Sequence, residues 1–273
     1  MKFSICNELF EGWSWEKLCQ TAAEVGYDGV EIAPFTLCDR PRDLSERQRD
    51  QLRAITRNHG LEIVGLHWLM VKPEGLYLTH SDAGIRAITQ AHLMDLVHLC
   101  RDLEGKVMVL GSPKQRNVLP ALHFEQAWAL AREVLIPVAR AAEDCGITIC
   151  FEPLAPSETN FINTADQAVG LIEEIGSPSF QLLLDVKAMT SEAVPPEEII
   201  REHGEHLRHF HANDANLGAP GSGDTDFVPI AEALRDIRYQ GYVSVEVFDF
   251  RAGAEAIARN SLAYLREVFG NPN

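Results

Sequence analysis

The chain has 273 residues, 46% hydrophobic and 23% charged, a length and balance that suit one large soluble domain with a substantial core. Its formal net charge of −16 repels phosphate backbones and argues against nucleic acid as a partner. No apolar run reaches bilayer-spanning length, so no membrane role is expected, and MKFSICNELF has no signal-peptide core.

In chain order, short β-rich runs alternate with longer amphipathic ones. Residues 3–6 form an expected first strand, followed by a helix over 15–25 with Ser14 as N-cap and Gly26 as its stop. A short strand over 29–32 precedes a helix opened by Ser45 and ending near Gly60, then a strand over 62–67. Residues 82–103 read as helix and 106–110 as strand, with VMVL at its core. The second half continues with a helix over 124–145, broken or bent near Pro137, and a strand over 147–152. A helix over 164–175, a strand over 180–185, a short helix over 196–203 and a strand over 207–212 follow. The last elements are a helix over 227–237, a strand over 242–247 and a helix over 254–268.

Eight strand–helix units with continuous apolar strands predict parallel strands buried on both faces, closed into a (β/α)8 TIM barrel over residues 1–273 as a single domain. A doubly wound open sheet would need an early Gly-rich phosphate turn, which the sequence lacks. Four long loops, over 33–44, 69–81, 112–123 and 153–163, follow strands and are expected over the catalytic face. Six scattered cysteines with no Cys-x-x-Cys pair fit reduced thiols in a cytoplasmic protein.

In this fold active sites lie where strands end. Strands five to eight end in Glu152 of CFEP, Asp185 of LLLD, His211 of HFHAND and Glu246 of SVEVF. Three converging carboxylates need compensating charge, which a divalent cation supplies. Three oxygen donors and one nitrogen favour Mn2+ or Mg2+, with Co2+ or Zn2+ also compatible. His209 shares the inward face of strand seven, one layer deeper, and His67 at the end of strand three is placed to reach substrate.

These segments, with GYDGVEI and VMVLGS, resemble the xylose isomerase-like barrels of sugar isomerases and epimerases, on the D-tagatose 3-epimerase-like branch. The resemblance implies that Glu152 and Glu246 are both metal ligands and an acid–base pair, that Mn2+ is the metal, and that an enediolate forms on a keto-sugar. It assigns Glu158 to substrate contact and an assembly as homodimer or homotetramer. The chain departs from that pattern in two places. DVKAM carries Ala188 where the family has a histidine, and ANDANLGAP carries Leu217 where it has an arginine. Lys187, two residues past a ligand, is a candidate second acid–base group or carbonyl polariser. Lys114, Arg116 and Lys72 are candidates to receive a phosphate, a carboxylate or a second sugar ring. Asn160 and Asn163 are candidates for hydroxyl contacts, and Trp13, Trp15 and Trp68 for stacking on a sugar face. The expected activity is therefore isomerisation or epimerisation of a keto-sugar or sugar derivative. A metal-dependent lyase on the same scaffold, dehydrating an inosose or eliminating from a 3-keto-glycoside, is the alternative.

Overall fold

The alternation of buried strands and capped amphipathic helices closes on itself. The structure, a computed structural model, describes residues 1–270. Eight parallel strands, β1 (Lys2–Cys6), β2 (Gly29–Ile32), β3 (Glu62–Leu66), β4 (Val107–Leu110), β5 (Thr148–Phe151), β6 (Phe180–Asp185), β7 (Leu207–Ala212) and β8 (Tyr242–Val245), run in sequence order around a closed barrel. β1 pairs with β8 to seal it.

Helices α1 (Trp15–Val25), α2 (Glu46–Asn58), α3 (Ala83–Asp102), α4 (Phe124–Cys145) and α5 (Ala165–Ile175) cover the first five strands in turn. The short α6 (Val186–Met189) follows β6 directly, before α7 (Pro196–Glu202), α8 (Phe227–Asp236) and α9 (Ala254–Phe269). The caps explain most boundaries. Ser14 accepts from the Lys17 amide, and Gly26 ends α1 with φ 106°, a left-handed conformation that suits glycine. Ser45 and Gln48 form a reciprocal capping box on α2. Contrary to a break near Pro137, α4 runs unbroken through that residue. All six cysteines are free thiols, and among the described residues no helix is long and apolar enough to cross a membrane.

Strand alternation sorts the side chains into two compartments. Met108, Leu110, Phe151, Leu182, Leu184 and Phe210 join the large apolar core. Val109, Cys150 and Leu183 form a separate small cluster. Two residues further along the same face of β5 and β6 stand Glu152 and Asp185. The period of two thus carries an apolar layer upward into a polar one at the C-terminal mouth, where barrel enzymes keep their chemistry.

Candidate active site

Glu152, Asp185, His211 and Glu246 come from four consecutive strands, and one ligand atom of each lies within 4.8 Å of all the others. All four side chains are buried, with relative exposures of 6%, 1%, 0% and 4%. Gly111, just past β4, makes room for the first of them: a Cβ there would stand 2.1 Å from Glu152 Oε2.

The group is held by a shell that the sequence reading only partly anticipated. Glu246 Oε2 lies 3.0 Å from His211 Nδ1, while its Oε1 accepts from Trp68 Nε1 at 2.8 Å and faces His67 Nδ1 at 3.2 Å. Trp68 reaches this position with φ 53°, a costly conformation for a bulky residue of the kind that collects at functional sites. On its other edge His67 Nε2 stands 3.0 Å from Glu8 Oε2, an ion-pair contact whose angles fall short of a good hydrogen bond. Asp185 Oδ1 caps α6 by accepting from the Ala188 amide at 2.8 Å, and Asn213 donates to its Oδ2 at 2.5 Å.

Glu31 of β2 is the residue the sequence reading missed. It is fully buried, with Oε2 2.7 Å from His209 Nε2 and Oε1 3.2 Å from His211 Nε2. Its one sequence signal was a carboxylate inside the apolar run GVEI, where nothing but a buried partner could compensate it. Glu8, in the turn after β1, and Asn213, just after β7, left no comparable signal.

The electrostatics follow from this packing. Burial pushes the Glu152 carboxyl well above its usual range, helped by the charges of Glu246 and Asp185. Asp185 is pushed up to about 6, by burial against a partly opposing pull from Lys187. Glu31 goes the other way: burial alone would raise it, but His209 and His211 hold it well below. Burial likewise opposes the charged form of His211, and Glu246 and Glu31 overcome it to raise that imidazole. Three close carboxylates and one imidazole, two of the carboxylates strained towards protonation, make a donor set that fits a divalent cation.

The remaining candidates separate. His67, Glu158 and Lys187 line the same small cavity as Glu152 and Glu246. Lys187 Nζ lies 2.8 Å from Glu158 Oε1 and 4.2 Å from the centre of the Phe248 ring. Lys114 is not brought to the cluster: the turn Pro113–Gln115 leaves it exposed, and only its neighbours Ser112 and Pro113 line that cavity.

Arg116 is not an anion receptor. It is fully buried, and its guanidinium donates to the carbonyls of Leu110, Glu152 and Ile162 while lying 4.8 Å from the Phe151 ring centre. Lys72 is half-buried and lines none of the mouth cavities. Asn160 and Asn163 spend their amides on loop backbone, at Val118 and at Leu154 and Thr159. Trp15 is anchored to Leu52 and Thr56, as a core residue would be.

Comparison with known proteins agrees with this fold. The family profile described as xylose isomerase-like TIM barrel matches residues 19–268. The D-psicose 3-epimerase of Agrobacterium fabrum is 33% identical over 274 residues, 92% of each chain. The fructoselysine 3-epimerase of Shigella flexneri is 26% identical over 251 residues, 85% of this chain and 84% of that one. In fold, the crystal structure of D-psicose 3-epimerase with D-tagatose from Clostridium cellulolyticum superposes with a TM-score of 0.88 at 24% identity, covering 99% of this chain and 100% of that one. Eight parallel strands, a matching profile over nearly the whole chain and a third of residues shared with a full-length relative place the protein in the xylose isomerase-like TIM barrel family, among the relatives of the ketose 3-epimerases.

Proposed function

We propose that the protein is a metal-dependent epimerase of a keto-sugar or keto-sugar derivative, with Glu152, Asp185, His211 and Glu246 holding the metal and Glu152 and Glu246 moving the proton. The observation that carries this reading is the convergence of those four buried ligands at the barrel mouth. Both curated relatives described above are named as 3-epimerases, one of a ketose and one of a ketose joined to an amino acid. The donor set of three carboxylates and an imidazole points to Mn2+. When bound, such a cation polarises a substrate carbonyl and adjacent hydroxyl and so acidifies the carbon-bound proton.

The chain's own residues supply the rest. Glu246 is kept deprotonated and in one orientation by His211, His67 and Trp68, the form from which a base must start. No side-chain hydrogen bond among the described residues reaches the Glu152 carboxylate, and burial beside other carboxylates favours its protonated form, which suits it to return one. Glu158, His67 and Lys187 line the same cavity, and we assign them to contact with the substrate oxygens.

The test is deuterium incorporation. Mn2+-loaded protein is incubated in D2O with D-psicose, an inosose and a 3-keto-glucoside, beside Glu246→Gln. A gain of one deuteron in recovered sugar, absent in the variant, is expected. Loss of water or aglycone would replace the epimerase by a lyase, and no change despite bound metal would overturn both.

A further inference from the structure

We propose a second binding site, for a phosphate ester of a sugar or nucleoside, in a hollow at the N-terminal end of the barrel. It does not depend on the reaction assigned to the mouth. The hollow measures about 530 Å3, room enough for a small organic ligand. It runs across the barrel floor, from Glu62 and Val107 at the starts of β3 and β4 to Arg208 and Tyr242 at those of β7 and β8. None of Glu152, Asp185, His211 and Glu246 lines it. A ligand held there binds together with the substrate rather than in its place.

The charge of the hollow runs against that of the chain. The protein has 40 acidic residues to 24 lysines and arginines, yet four cations, Arg53, Arg57, Lys106 and Arg208, line the hollow beside two carboxylates, Glu62 and Glu104. Both carboxylates are already matched. Lys2 pairs with Glu62 at 2.6 Å, Tyr242 Oη donates to it at 2.9 Å, and Arg57 pairs with Glu104. Arg53 is spent on Asp50 and on the Asp102 carbonyl. His209, which also lines the hollow, has its Nε2 on Glu31 at 2.7 Å.

Lys106 and Arg208 are left over. Among the described residues neither forms an ion pair with a carboxylate, although the chain offers carboxylates in excess. Arg208 Nη1 instead donates to the carbonyls of Glu205 and Leu207, at 2.7 and 3.0 Å. Those bonds steady the guanidinium through one nitrogen and leave Nε and Nη2 for a ligand. Two unmatched cations in one concavity of an acidic protein concentrate anions there. A guanidinium fork beside an ammonium is a donor pair suited to phosphate.

The remaining wall narrows the ligand class. Leu61, Ile63, Leu103 and Val107 give the hollow an apolar side. Bare phosphate would leave that surface uncovered, whereas the sugar or base of an ester covers it. The net charge of −16 turns away a nucleic acid and leaves the small ester. The mouth offers phosphate no equal, because Arg116 is consumed by backbone carbonyls and Lys187 is paired with Glu158.

The test is titration calorimetry of the full chain in phosphate-free buffer. The ligands are adenosine 5′-monophosphate and ribose 5-phosphate, each beside its uncharged partner, adenosine or ribose. At least one ester should bind saturably with a Kd of about 1 mM or tighter, and its uncharged partner should not. Arg208→Gln and Lys106→Gln should each weaken that binding roughly tenfold or more, as the loss of a charge-assisted hydrogen bond does. Both side chains are exposed, so the variants should keep the parent's urea midpoint. Arg259→Gln, the same change of charge on the exposed face of α9, should leave the affinity unchanged. Binding of neither ester, binding undiminished in the double variant, or a loss in Arg259→Gln as large as in Arg208→Gln would overturn the site.

Discussion

Glu31 Oε1 lies 3.2 Å from His211 Nε2, joining the second strand of the barrel to the seventh across 180 positions of sequence. The same carboxylate holds His209 at 2.7 Å, so two histidines of β7 share one buried acceptor. In the metal-holding role proposed for His211, an imidazole fixed through its far nitrogen keeps one ring orientation and one tautomer, and gains basicity at the near nitrogen.

Glu31→Gln therefore tests a positioning role rather than a ligand role. The amide preserves shape but removes the charge opposite His211 and His209. Mn2+ affinity by titration calorimetry should fall about 10- to 100-fold, the usual cost of losing such a partner. Unchanged affinity would show that β7 packing alone orients the ring.

Gly111→Ala tests the room left for Glu152. The added Cβ meets Glu152 Oε2 at 2.1 Å, and that atom is the end of a flexible side chain, so the carboxylate swings away while the fold stays close to intact. The expected result is a metal affinity reduced by at least roughly tenfold, with an unfolding midpoint near that of the parent. Parent-like affinity would mean that Glu152 binds from another rotamer.

The protonation of the cluster predicts opposite pH responses with and without metal. Burial pushes Asp185 up to about 6 from an ordinary 3.8. A carboxyl raised by folding keeps a proton that the unfolded chain has lost. Its stabilising contribution is full below 3.8 and is lost as pH rises through about 6. Glu192, pushed up to about 7 chiefly by burial, has the same sign. Raised imidazoles at His67 and His211 extend the trend above 6.5. The metal-free protein should thus unfold at higher urea at about pH 5.5 than at about pH 7.5. Saturating Mn2+ should reverse that order, because the ligands bind it deprotonated. Glu152→Gln should reduce the dependence in both forms.

Arg116→Met tests a structural assignment. The guanidinium ties the end of β4 to the segments after β5, through the carbonyls of Leu110, Glu152 and Ile162. Removing it leaves buried acceptors unpaired, at a cost of roughly 2–4 kcal/mol in urea unfolding. A neutral effect would show that water replaces the guanidinium.

The sequence by itself determined the barrel and the convergence of Glu152, Asp185, His211 and Glu246 at its mouth. Strands buried on both faces leave a continuous apolar signal, capped helices mark their own ends, and a polar residue closing each of β5 to β8 stands out against such strands. The period of two then fixes which side chains face inward, without any knowledge of partners. What only the tertiary structure decided are the relationships across the barrel. Glu31 meets His209 and His211, and Trp68 donates to Glu246, because closure faces β2 and β3 across the barrel from β7 and β8, while Glu8 after β1 meets His67 after β3 over the intervening β2. Arg116 read as a free cation in a polar loop, yet the fold buries it against carbonyls that no local pattern announces. Contacts between residues far apart in the chain depend on register and closure, and neither is written in a stretch short enough to read locally.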